Sequence, residues 1–125
     1  MTENEIGDLV VAGAMRVHTV LGPGLLESTY EACLAHEFAK SGVRAKRQVA
    51  LPVVYDGVQL DAGYRLDLIV EDLVIVELKV VDRLLPVHVA QLLSYLKLSG
   101  SKLGYLLNFN VAHMKDGVKR VVNGL

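Results

Sequence analysis

Apolar residues recur at helical spacing from Glu3 to Val20, where Ile6, Leu9, Val10, Gly13, Val17 and Val20 share one face. Gly22-Pro23-Gly24 interrupts the run. A second helix is predicted from about Leu25 to Lys40, closing at Ser41-Gly42 with Gly42 as a left-handed cap. The period then changes from helix to strand. Val49, Leu51, Val53 and Tyr55 alternate with other residues, and Pro52 among them points to an edge position or a bulge. Asp56-Gly57 is a hairpin turn signal, followed by a short Val58–Leu60 strand. Tyr64–Val70 and Leu73–Val81 are the clearest strands. Pro86 suits the first turn of a third helix reaching Ser99, with Gly100 as its stop. Leu103–Phe109 reads as a strand, and Asp116-Gly117 turns into a last one, Val118–Val122. The order α-α-β-β-β-α-β-β is that of an α+β, three-layer domain.

Composition narrows the class. The chain has 125 residues, 52% hydrophobic and 22% charged, enough for one core and too apolar for disorder. A single domain, residues 1–125, is expected, with no linker or repeat. Lys and Arg number 13 against 14 Asp and Glu, so a globally basic coat protein is excluded, though a local basic groove is not. One cysteine, Cys33, excludes an internal disulfide and a cysteine zinc finger. The acidic start lacks a secretory signal pattern, and no apolar run reaches membrane-spanning length. A cytoplasmic protein without membrane contact is the expectation.

Candidate chemistry concentrates in Tyr64–Lys79. Glu77 and Lys79 stand inside an apolar strand and, two residues apart, face one side. Val74, Val76, Leu78 and Val80 face the other. The preceding strand divides likewise into Leu66, Leu68, Val70 and Arg65, Asp67, Ile69. Matching the apolar faces pairs Leu66 with Leu78, Leu68 with Val76 and Val70 with Val74. This leaves a three-residue loop, Glu71-Asp72-Leu73. Asp67 then lies opposite Glu77, and two facing carboxylates repel. A cation between them, Mg²⁺ or Mn²⁺ by ligand type, removes that objection. A solvated sheet face with cross-strand ion pairs is the alternative. On the third helix His88, Gln91 and Tyr95 form one stripe, and Val89, Leu92, Leu93 and Leu96 the buried one. Gln91 and Tyr95 are placed to face the charged cluster, or solvent.

These residues resemble the GxxExxY proteins, a branch of the PD-(D/E)XK nuclease superfamily. The name-giving motif stands as Gly24-Leu-Leu-Glu27-Ser-Thr-Tyr30, after a His18-Thr-Val-Leu-Gly-Pro lead-in. Tyr64-Arg-Leu-Asp67, Val76-Glu77-Leu78-Lys79, Gln91-Leu-Leu-Ser-Tyr95 and Leu106-Leu-Asn-Phe109 follow in order. The resemblance implies a restriction-endonuclease-like α-β-β-β-α-β core, with the first helix and last strand as additions. It implies Asp67 and Glu77 as metal ligands, Glu27 as a third, and the Leu78 carbonyl completing the shell. Lys79 becomes the motif lysine that orients the attacking water, with Gln91 assisting and Tyr95 supporting it. Leu66 stands where the superfamily often has proline.

The implied activity is Mg²⁺- or Mn²⁺-dependent hydrolysis of phosphodiester bonds in DNA, or RNA, by a metal-activated water. The alternative is a binding module for nucleic acid or protein that keeps the fold without turnover. A footprint this small suits a homodimer or a protein partner. Tyr30 and His18 read as structural, and His36 and His113 lack partners at ligand spacing. Lys40, Arg44, Lys46 and Arg47 form one basic cluster, and Lys115, Lys119 and Arg120 another, either able to meet phosphates. No phosphate-loop or dinucleotide fingerprint is present, so no nucleotide cofactor is expected.

Overall fold

The computed structural model describes residues Met1–Leu125. Helix α1 spans Glu3–Leu21 and α2 spans Glu27–Lys40. Strands β1 (Ala45–Tyr55), β2 (Val58–Val70) and β3 (Val74–Lys79) follow. Then come α3 (Pro86–Ser99), β4 (Leu103–Asn108), a 3₁₀ turn (Met114–Gly117) and β5 (Val118–Val122). Thr2 caps α1 through its hydroxyl on the Glu5 amide, and Glu5 returns a bond to the Thr2 amide. Pro86 opens α3 and a left-handed Gly100 closes it.

The five strands lie in chain order across one sheet. All neighbours are antiparallel except β3 and β4, which α3 connects as a crossover. Helices cover both faces. On one, α1 and α2 close a core with Leu68, Val70, Val74, Val76, Leu78, Leu103, Tyr105 and Leu107. On the other, α3 packs Leu92, Tyr95 and Leu96 against Leu51, Leu66, Ile75, Leu106 and Val121. This is the expected α/β/α layering, with α1 and β5 added to an α-β-β-β-α-β core.

The β2–β3 hairpin adopts the expected register: Leu68 pairs with Val76 and Val70 with Val74. The matching Leu66–Leu78 pair does not form, because the ladder ends at Leu68. Leu66 also leaves the face of Leu68 and Val70 and joins the α3 core. The cause is a kink in β1. Gln48 takes φ +52°, between the Arg47–Leu68 and Val49–Leu66 pairs and across from Asp67. A left-handed residue breaks strict alternation, so the ribbon beyond it presents its other side.

Two further differences concern strand extent. The segments Val58–Leu60 and Tyr64–Val70 are one continuous strand. The irregularity expected from Pro52 is absorbed as a register shift between Leu51 and Val53, on a strand that is indeed a sheet edge. No helix is long and apolar enough to cross a membrane.

Candidate active site

Asp67 and Glu77 stand where the β2–β3 ladder stops, and their carboxylates take over its hydrogen bonding. The Leu78 amide donates to Asp67 Oδ2 at 2.9 Å, and the Asp67 amide donates to Glu77 Oε1 at 3.1 Å. Each side chain therefore binds the opposite strand's backbone. The two side chains lie together, as the register predicts, and not on opposite faces of the sheet.

Glu77 is 5% exposed. Burial, and then the Asp67 charge, push its carboxyl up to about 9, and a carboxyl–carboxyl hydrogen bond with Asp67 acts in the same direction. At neutral pH this pair keeps one proton. Lys79 pulls weakly the other way. It sits one step beyond Leu78, half-buried, and enters no ion pair.

Glu27 is the first residue of α2, and its placement begins with Tyr30. The Tyr30 ring is fully buried and stacks on Phe109 at 4.4 Å, with an interplanar angle of 10°. Its hydroxyl donates to the Gly22 carbonyl at 2.6 Å and accepts from the Leu25 amide at 3.1 Å. The intervening turn needs positive φ at Gly22 (+66°) and Gly24 (+99°). Tyr30 thus clasps the turn that launches α2 and fixes where Glu27 emerges. Burial raises the Glu27 carboxyl above its ordinary value. Asp67 and Glu31 raise it further, while Lys79 lowers it.

From the other side of the sheet comes Tyr95, whose phenol is raised by burial and then by Glu77, Tyr64 and Asp67. Its ring sits 5.8 Å from that of Tyr64. Glu27, Asp67, Glu77, Lys79 and Tyr95 therefore feel one another's charge. Tyr95 does not belong to the polar stripe expected of α3. It is buried beside Leu92 and Leu96, because the helix needs a wider apolar face than two rows. His88 is half-buried and accepts the Leu85 amide at the helix start. Gln91 is exposed, one turn before Tyr95, and its side chain forms no hydrogen bond.

Sequence reasoning missed three residues that support the site. Glu31, one turn after Glu27, is buried and receives Arg47 at 3.0 Å and Gln48 at 2.6 Å. Gln48 also reaches Asp67 Oδ1 at 3.5 Å. Asn108, at the end of β4, binds both the amide and the carbonyl of Val81. It pins the chain just beyond Lys79, where the Phe109 amide also holds the Lys79 carbonyl. Glu31 carried the only signal, its i, i+4 relation to Glu27.

The carboxylates line none of the clefts in the fold. The largest, about 530 Å³, runs beside the Gly22-Pro23 turn and is bordered by His18, His113 and Lys115. His18 Nε2 lies 2.8 Å from the Val111 carbonyl, which gives it the structural role expected. The first basic cluster is spent internally. Lys40 pairs with Glu37, Arg44 with Glu71 and Asp72, Lys46 with Asp72, and Arg47 with Glu31. Lys115, Lys119 and Arg120 are exposed and pair with no carboxylate.

The family model of the PD-(D/E)XK nuclease superfamily matches residues 4–121. The chain belongs to the PD-(D/E)XK nuclease superfamily. No curated protein and no solved structure gives a match. Nucleases of this superfamily typically use a divalent cation such as Mg²⁺. No group of three His, Cys, Asp or Glu side chains is gathered tightly enough to enclose one. The donor set nevertheless fits such an ion in kind. It consists of hard carboxylate oxygens, and a divalent charge would replace the proton that Glu77 retains.

Proposed function

We propose that this PD-(D/E)XK protein is a metal-dependent nuclease of the GxxExxY branch, hydrolysing phosphodiester bonds in DNA or RNA. The observation that carries the reading is the Asp67–Glu77 pair, two carboxyls set against each other at the point where β2 and β3 part. A sheet built only for stability gains nothing from that repulsion.

Asp67 and Glu77 would hold Mg²⁺ or Mn²⁺, with Glu27 and the Leu78 carbonyl as further oxygen donors. When bound, the cation supplies positive charge at the phosphate and makes water a better nucleophile. Lys79 is free of ion pairs and follows Glu77 on the same face. Its ammonium is available to orient the attacking water or to stabilise charge on the phosphate. Gln91 offers an amide to that water or to a phosphate oxygen. The buried Tyr95 backs the cluster from α3. Lys115, Lys119 and Arg120 are the free cations of the basic clusters, available to a nucleic-acid backbone.

The test is a cleavage panel in Mg²⁺ and in Mn²⁺. It holds labelled single-stranded, duplex, flapped and four-way-junction DNA, together with RNA. Cleavage by the wild-type protein is expected, with loss in chelator and at least a ~100-fold loss in Lys79→Ala at unchanged melting temperature. Cleavage that survives Lys79→Ala would remove the lysine's role. Nucleic-acid binding that persists unchanged in chelator, without cleavage, would favour a binding module.

A further inference from the structure

The β1–β2 ribbon outgrows the sheet. β3 pairs only with Leu68–Val70, yet β2 continues back to Val58. The inner part of the ribbon is covered: Val49, Leu51 and Leu66 pack beneath α3, and Tyr64 meets Tyr95. The outer part is bare. Cross-strand pairs Val53–Leu60 and Tyr55–Val58 share a face, and all four residues are apolar. Tyr55 is 72% exposed, Val58 55% and Leu60 46%. That face continues the one that α3 buries further in. A free two-stranded ribbon with an apolar face is marginal in water.

Charge indicates what covers it. From Leu51 to Tyr64 the ribbon carries Asp56 and Asp61 and no Lys or Arg. An acidic, apolar tip is repelled by nucleic-acid phosphates and suits protein. At the ribbon's root stands Arg65, exposed, its only hydrogen bond going to the Gln48 carbonyl at 3.3 Å, and with no carboxylate beside it. Acidic tip and basic root lie about 20 Å apart along the strand. The Val53–Leu60 pair falls midway between them.

We propose that this face docks on the same face of a second copy of the chain. A two-fold axis at the Val53–Leu60 pair lays the two ribbons antiparallel. The apolar faces meet, and Asp56 and Asp61 of each copy come against Arg65 of the other. Edge-to-edge pairing through β1 is disfavoured. Pro52 lacks an N–H, and the register shift between Leu51 and Val53 disrupts the strand there. The proposal is independent of the nuclease reading, since its readout is mass.

Sedimentation equilibrium over a range of protein and salt concentrations tests it. The wild-type chain is expected to dimerise, more weakly as salt rises. Tyr55→Ser/Leu60→Ser is expected to raise the dimer Kd at least about tenfold. Its melting temperature as a monomer should not change, because both side chains are exposed. Arg65→Glu should weaken the dimer and abolish its salt dependence. A chain monomeric at every concentration, or a dimer indifferent to both variants, overturns the proposal. Loss of nucleic-acid binding in Tyr55→Ser/Leu60→Ser without a change in mass would also overturn it, assigning the ribbon to nucleic acid.

Discussion

The two faces of the sheet are unequal. Under α1 and α2 lies a continuous core that takes in Tyr30, Leu34, Phe38 and Phe109. Under α3 lies a core less than half its size, bordered at one end by Glu77 and open along the ribbon. The thick side has no charged residue in its core. The thin side accepts a buried glutamate and tyrosine beside half-buried lysine. Stability is concentrated on one face, and the other is left free to hold groups that cost energy to bury.

Core truncations give the sharpest way to break this contrast. Phe38→Ala is expected to cost about 3–5 kcal/mol, and Leu92→Ala, under α3, about 2–3 kcal/mol. Urea unfolding measures both. Equal losses would mean that the small core contributes as much as the large one.

A smaller effect is expected at the clasp between the large core and Glu27. Tyr30→Phe keeps the stacked ring but leaves the Gly22 carbonyl and Leu25 amide without their partner. A loss of about 1–2 kcal/mol is expected. If Tyr30 sets the position of Glu27, cleavage should fall by more than that stability loss explains, read at a temperature where both forms are folded. A variant with full activity would show that α2 needs no clasp.

The smallest and most specific effect is a pH dependence. In chelator, folded Glu77 keeps its proton up to about pH 9, whereas in the unfolded chain the carboxyl ionises near its ordinary 4.5. Between those values the folded state binds more protons, so stability is highest below the window and falls as pH rises through it. Thermal melts of wild type should show that decline, and Glu77→Gln should flatten it. A decline shared equally by both would assign it to another group.

Much of the architecture was legible in the sequence. Pro86 and Gly100 bound α3 because each has a conformation that few other residues supply. The β2–β3 register followed from parity, since a one-residue slip would have turned Leu68 and Val70 out of the core. The family motifs located Asp67, Glu77, Lys79 and Glu27, and the structure brings these four within electrostatic reach of one another. What escaped was non-local. A glutamine at φ +52° has no sequence signature, so neither the kink at Gln48 nor the transfer of Leu66 to the other core could be read. Tyr95 was assigned to a polar stripe because its hydroxyl invites that, while its ring was needed to fill space beside Leu92. Glu31 looked like an ordinary helix-surface acid until Arg47 and Gln48 arrived from β1.

The exchange of ladder bonds for carboxylate bonds gives the molecule a built-in reporter. The amides of Asp67 and Leu78 are held by side-chain oxygens that a ligand could draw away, whereas their neighbours are held by backbone carbonyls that no ligand competes for. Any species that claims those carboxylates must alter the hydrogen bonding of these two amides first. Their nitrogen–proton resonances and solvent-exchange rates would register occupancy of the site before any substrate is known.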